Sequence, residues 1–198
     1  MVMFTEFLQH SEIIDWRHES IGRLSAEIRE SSADKEQYAE NAFHWVRDMI
    51  RHSWDHRQGP VTCIASEVLR YRTGFCYAKS HLLAALLRAG GIPSGFCYQR
   101  LRLEENGSRY CLHGLNGVYL QEYGWYRIDP RGNKNGVDAR FCPPVEALAF
   151  STDGALEQDL PGILPEPLEG VIKALTEHKT IEELYANLPD IDISNIQI

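Results

Sequence analysis

Residues 73–93 read TGFCYAKSHLLAALLRAGGIP, and this stretch decides the fold that the rest of the chain must adopt. After Thr73-Gly74 the run is apolar on most of a helical circumference, with leucines at positions 82, 83, 86 and 87. Gly90-Gly91 is typical of a helix C-cap, and Pro93 prevents the helix from resuming. The stretch therefore predicts a central, buried helix that begins near Cys76.

Three strand-like stretches follow this helix. They span residues 96–103, 109–120 and 125–129. The sequence EENG at 104–107 predicts a turn after the first stretch, and Asn116-Gly117 predicts a bulge in the second. Together they predict an antiparallel sheet packed on the Cys76 helix, so the fold class is α+β.

The segment before the central helix carries weaker patterns. Residues 1–30 have an apolar pattern that we expect to pack against the main body. Ser31 or Ser32 is the predicted cap of a helix that runs to about Ile50, because apolar residues recur there at helical spacing.

The segment after the sheet changes character. Residues 131–167 are rich in glycine, proline and acids, and we expect an ordered excursion over the core. Two short helices are predicted next, one over 168–177 and one that begins at the Thr180 capping box and stops before Pro189. The end, 190–198, is predicted to be frayed or to add an edge strand.

Length and charge limit the kinds of protein that this chain can be. At 198 residues the chain fits one domain over 1–198, with a core of about 38–131 and a C-terminal extension over 132–198. The net charge of −8 argues against a nucleic-acid partner, which would select a basic face. No apolar run approaches the roughly 20 residues that span a membrane.

Five cysteines occur, at positions 63, 76, 97, 111 and 142. An odd number without a secretory signal indicates reduced thiols, and therefore predicts a cytoplasmic protein without a disulfide framework. Cys97 and Cys111 are expected to be buried thiols on neighbouring strands.

Three residues have the chemistry of an acyl-transfer site. Cys76 stands at a helix start, where unpaired N–H groups and partial positive charge favour a thiolate. His113 can take the thiol proton and return it to a leaving amine, and Asp129 can orient the imidazole. The Cys76 backbone N–H is one expected oxyanion donor, and the second is Trp54 or Gln58.

The same residues carry a family pattern. GFCYA at 74–78, LAALLRAGGIP at 83–93, and His113 followed by GWYRIDP at 124–130 resemble the core of the transglutaminase-like superfamily. The resemblance covers about 38–131. It implies a papain-like α+β fold in which Cys76 is the nucleophile, His113 the base and Asp129 the orienting acid.

One short run departs from the family pattern. Members often have alanine and tryptophan after the histidine, whereas this chain has His113-Gly114-Leu115-Asn116-Gly117. The glycines predict a looser or bulged strand beside the site.

Three functions are compatible with these residues. The favoured one is hydrolysis of a peptide or amide substrate through a Cys76 thioester, with no cofactor, no nucleic acid and no membrane involved. The first alternative is a catalytically inactive relative that binds a peptide in the same groove. The second is a metal site using Cys111 and His113, or His52 and His56, but the spacings match no zinc motif.

Overall fold

The computed structural model describes residues 4–103, 107–152 and 156–191. The predicted turn at 104–107 and the predicted end at 190–198 lie largely outside the described residues. Seven α-helices are present in the described ranges: α1 (Glu19–Glu30), α2 (Lys35–Met49), α3 (Ser53–His56), α4 (Ala65–Tyr71), α5 (Cys76–Ala89), α6 (Glu169–Glu177) and α7 (Ile181–Ala186). The strands are β1 (Arg51–His52), β2 (Thr73–Gly74), β3 (Ser94–Arg102), β4 (Tyr110–Leu120), β5 (Gly124–Ile128) and β6 (Gln158–Asp159).

Helix α5 is the centre of the molecule, as its sequence predicts. Every residue from Cys76 to Arg88 is buried, which is the burial expected of a helix that is apolar all round. Helices α1, α2 and α4 pack on it, and so do strands β3 and β4. It ends at Gly90, where an added Cβ would lie 2.3 Å from the Tyr38 ring. The fold is therefore an α+β fold with a cysteine at the start of its central helix.

The main sheet has the order β5-β4-β3-β6, and its neighbouring strands are antiparallel. The predicted bulge at Asn116-Gly117 is wrong, because β4 pairs with β3 in unbroken register from Tyr110 to Val118. The glycines serve close packing instead. A Cβ on Gly114 would lie 2.9 Å from the Tyr77 ring, and one on Gly117 would lie 2.7 Å from Ile163. Strand β4 is thus regular beside the site.

The start of α2 also differs from the prediction. Asp34, rather than Ser31 or Ser32, caps the helix by accepting a hydrogen bond from the Gln37 N–H. The two serines instead end α1, since both hydroxyls donate to the Ile28 carbonyl. Serine and aspartate are both good caps, and the unpredicted helix α1 decides which of them is used.

The C-terminal part follows the sequence closely. Thr180 forms the predicted capping box with Glu183 at the start of α7. The excursion at 131–167 contributes β6, which pairs with β3, and an isolated bridge between Leu164 and Phe96. In the described ranges, every helix is too short or too polar to cross a bilayer.

Candidate active site

Cys76 is the first residue of α5, and Phe75 alone separates it from the short strand β2. Strand β2 pairs in parallel with β1, which brings His52 beside Gly74. A Cβ on Gly74 would lie 3.1 Å from the Ala78 Cβ, so the glycine allows the chain to enter the helix tightly. The Cys76 side chain is thereby held at a helix N-terminus, where the helix dipole favours negative charge.

His113 lies on β4, and Asp129 directly follows β5. The Nε2 atom of His113 is 2.7 Å from Oδ2 of Asp129, and both side chains are buried. Asp129 also accepts hydrogen bonds from the backbone N–H groups of Arg131 and Ala149, at 3.0 and 3.1 Å. Since Nε2 is hydrogen-bonded to Asp129, Nδ1 is the ring nitrogen that is available to exchange a proton with Cys76. The structure thus brings together all three residues predicted from the sequence.

The histidine is strongly biased towards its charged form. Burial alone would lower the pKa of His113, but the Asp129 carboxylate and Cys76, which both also hydrogen-bond to the ring, raise it to about 10. Burial opposes ionisation of Asp129 too, yet the charge and hydrogen bond of His113 and the two backbone N–H groups hold the pKa of Asp129 below its usual value. The arrangement favours an imidazolium next to a carboxylate.

A residue of the 131–167 excursion covers this pair. The Phe150 ring meets the His113 ring edge-on, with centroids 5.0 Å apart and planes at 90°. The Phe150 carbonyl accepts a hydrogen bond from the Gln99 amide, which anchors it to β3. The excursion therefore contributes a ring that packs against His113.

A cavity of about 420 Å³ opens onto Cys76 and His113. Trp54 borders it, whereas Gln58 is not among its lining residues and its side chain accepts a hydrogen bond from Arg51. Tyr77 also lines the cavity, whereas five other aromatic residues of the chain do not: Tyr71, Tyr98, Tyr110, Trp125 and Tyr126.

One wall of the cavity carries an ionic cluster. Asp55 lies 2.8 Å from Arg131, 2.7 Å from Lys134 and 3.5 Å from Nδ1 of His52. Burial would raise the pKa of Asp55, but the hydrogen bonds and positive charges of Lys134 and Arg131 lower it to about 2. Burial and the nearby Arg131 hold the pKa of His52 well below its usual value, so this second imidazole is neutral.

The sequence did not identify these surrounding residues. Arg131 follows the Asp129-Pro130 motif directly, so its proximity to the site was foreseeable. Asp55 and Phe150 reach the site only through long-range packing, and no local pattern marks them. In the parts of the chain that the structure describes, no three His, Cys, Asp or Glu side chains converge as a metal-binding group.

Comparison with protein families identifies residues 22–130 as a match to the transglutaminase-like superfamily. The matched range includes Cys76, His113 and Asp129. No curated protein matches the chain.

Solved structures resemble the chain at low sequence identity. The "Putative Cysteine Protease" from Cytophaga hutchinsonii aligns with a TM-score of 0.52 and 16% identity, over 81% of this chain and 52% of its own. Red sea bream transglutaminase aligns with a TM-score of 0.50 and 12% identity, over 65% of this chain and 29% of its own. The periplasmic domain of TgpA from Pseudomonas aeruginosa gives a TM-score of 0.46 and 21% identity, over 63% and 45%. The chain spans about half or less of the length of these structures.

Proposed function

Because the chain belongs to the transglutaminase-like superfamily, a group related to cysteine proteases and acyltransferases, we propose that it is a thiol-dependent acyl-transfer enzyme that hydrolyses a peptide or amide bond. One observation carries this proposal: His113 is hydrogen-bonded between the buried Asp129 and the thiol that begins the central helix. A histidine oriented on one side and facing a thiol on the other is the arrangement that activates a cysteine nucleophile.

The reaction starts from an ion pair, in which the proton of the Cys76 thiol resides on His113 and the sulfur is a thiolate. The thiolate attacks the carbonyl carbon of the substrate, and the carbonyl electron pair moves to oxygen. His113 then gives its proton to the leaving amine as the carbon–nitrogen bond breaks, which leaves a thioester on Cys76. A water molecule, deprotonated by His113, attacks the thioester, and the thiol is regenerated as the acid product leaves.

The developing oxyanion requires hydrogen-bond donors. The backbone N–H of Cys76 is the first donor, because it stands at the open N-terminus of α5. We assign the second to Trp54, whose position on the cavity wall supports it over Gln58.

Cysteine alkylation measured at several pH values tests the assembled pair. Iodoacetamide labelling is read at each cysteine by mass spectrometry in the wild type, in His113→Ala and in the control His10→Ala, with the exposed Cys142 as internal standard. We expect Cys76 to react faster than Cys142 at pH 6, and His113→Ala alone to abolish this advantage. Equal reactivity of Cys76 and Cys142 at pH 6 would contradict the proposal and favour the inactive, peptide-binding relative.

Turnover is tested separately with a peptide library, comparing the wild type with Cys76→Ser. New carboxyl termini that appear only with the wild type indicate hydrolysis. Incorporation of an added primary amine in place of water would instead indicate amine transfer.

We further propose a reducing compartment, such as the cytoplasm. The five cysteines are unpaired, which supports this location. Thiol counting on denatured protein isolated from its native source should find five free thiols, and a disulfide would contradict the assignment.

A further inference from the structure

The C-terminal strap, defined as residues 181–191, crosses the cavity of the candidate site. Two of its residues, Tyr185 and Leu188, line the cavity together with Cys76. The strap lies outside the 22–130 range that matches the superfamily. The family match therefore does not describe this wall of the cavity.

The strap is fixed on both sides of the cavity. On the helical side, the Tyr185 ring stacks on Trp54 with centroids 3.5 Å apart and planes at 3°. On the sheet side, the Leu112 N–H donates to the Pro189 carbonyl at 2.7 Å, and Asp190 takes two hydrogen bonds from Arg100 at 2.7 and 2.8 Å. A wall held at both ends presents its side chains in one arrangement, which favours selective binding.

Trp54 is itself held in place within this wall. The Arg57 guanidinium lies 3.5 Å from the centre of the indole ring, while Tyr185 stacks against the ring as well. Tyr185 thus extends a rigid aromatic surface from α3 to the C-terminal segment. Leucines from β3, β4 and the strap complete this side of the cavity, at positions 101, 112 and 188.

Several charged groups around the cavity already have partners. Asp55 is shared by Arg131 and Lys134, and Glu157 accepts a hydrogen bond from the Arg102 N–H at 2.8 Å. A charged substrate side chain would lose hydration against the aromatic and leucine surface without gaining a partner there. A large apolar side chain would gain burial instead.

We propose that Tyr185 and Leu188 determine specificity for peptides with a large apolar residue at the carbonyl that Cys76 attacks. This inference rests on the proposed acyl transfer at Cys76. Tyr185 contributes by position and contact, and it takes no part in proton transfer.

Alkylating probes that differ in their side chain test the specificity of this cavity wall through the rate at which each one labels Cys76. The probes are the chloromethyl ketones of acetyl-phenylalanine and acetyl-glycine, whose sulfur–carbon bond forms as chloride leaves, with labelling at Cys76 read by mass spectrometry. We expect the phenylalanyl probe to label the wild type about tenfold faster than the glycyl probe, the lower range for an apolar pocket. Tyr185→Ala should bring the ratio of the two rates close to one, and Tyr185→Phe should keep it. Tyr71→Ala, an exposed tyrosine outside the cavity, is the control and should resemble the wild type.

Equal rates for the two probes in the wild type, or an unchanged ratio in Tyr185→Ala, would overturn the assignment of the wall. Should iodoacetamide also fail to select Cys76, the acyl-transfer proposal itself fails. In that case the specificity of the cavity wall is tested by ligand binding instead of by labelling. The Cys76→Ala protein should bind acetyl-phenylalaninamide more tightly than acetyl-glycinamide, as followed by the Trp54 indole NMR resonance, and equal binding would overturn it.

Discussion

The orientation of one ring, that of His113, determines what each neighbouring residue can do. Its Nε2 atom is committed to Asp129, so proton exchange with Cys76 must pass through Nδ1. Asp129 can hold this orientation because its two oxygens accept three hydrogen bonds in a fully buried position. A carboxylate is needed here, since an amide in its place would direct an N–H group at one of the backbone N–H donors.

Asp129→Asn tests the carboxylate directly. Removing the negative charge should lower the pKa of His113 from about 10 towards the ordinary value of about 6.5. Burial lowers this pKa, and the carboxylate charge of Asp129 would no longer oppose that effect. The shift is measured by NMR titration of the His113 ring, and the labelling of Cys76 at pH 6 should slow in parallel. Asp138→Asn, which removes an exposed carboxylate, is the matched control. An unchanged His113 titration in Asp129→Asn would show that the pair does not set the proton affinity of the ring.

The sequence predicted that these three residues share a candidate site because each one belongs to a local pattern: a helix start, a strand and a strand end. It could not identify Phe150 or Asp55, which reach the site by long-range packing. Neither the edge-on contact of Phe150 with His113 nor the pairing of Asp55 with Lys134, 79 residues further along, has a local signature.

Among the contacts between helices and strands, the packing of β4 against α5 is the one that positions His113 relative to Cys76. Glycine in a strand predicts either a bulge or a close approach of another group, and the sequence alone favoured the bulge. The structure has the close approach. Gly114 faces the ring and backbone of Tyr77, whose hydroxyl donates to the Leu112 carbonyl on the same strand. The strand carrying His113 and the helix carrying Cys76 are fixed to one another at this point.

Gly114→Ala and Gly117→Ala form a matched pair that separates the site from the rest of the sheet. Each added methyl group overpacks the core, and we expect losses of about 1–3 kcal/mol in the free energy of unfolding. Gly114→Ala should also slow the labelling of Cys76 on the order of tenfold or more, because it displaces Tyr77 and the start of α5 relative to β4. Gly117→Ala should leave that rate near the wild-type value, since its methyl group meets Ile163, which is not a lining residue of the cavity.

Urea unfolding followed by circular dichroism gives the two stabilities, and labelling in the folded state gives the rates. Wild-type labelling in a folded Gly114→Ala protein would contradict the role assigned to this contact. Equal slowing in both variants would show that the rate reports general loosening of the sheet.

Two buried cationic side chains, His113 and Lys79, affect how the stability of the whole molecule depends on pH. His113 lies at the site, and Lys79 lies one helical turn beyond Cys76 on α5. The Lys79 ammonium is fully buried and donates to the carbonyls of Arg47 and Ile50 at the end of α2. It therefore ties α2 to the helix that carries the nucleophile. Its role depends on α2 and α5 being adjacent, which the individual helix patterns do not specify.

The two cations affect stability in opposite directions as pH rises. The pKa of His113 is raised to about 10, so its stabilising contribution is complete below about 6.5 and is lost as pH rises through 10. Burial lowers the pKa of Lys79 to about 7, against an ordinary value of 10.5. The cost of burying its charge is therefore complete below pH 7 and disappears as pH approaches 10.5. The wild type should consequently show a flatter dependence of stability on pH than either contribution alone would give.

Variants at the two positions separate the contributions. Between pH 7 and pH 10, the stability deficit of His113→Gln relative to the wild type should shrink, because the wild type loses the benefit of the charged ring. The deficit of Lys79→Met should grow over the same range, because the wild type is progressively relieved of a buried charge while the variant still leaves the Arg47 and Ile50 carbonyls without their donor. Urea unfolding at pH 7, 8, 9 and 10 measures both differences. Deficits that change in the same direction would show that the two cations are not the opposing pair inferred from their burial and partners, and constant deficits would show that neither group changes its proton affinity on folding.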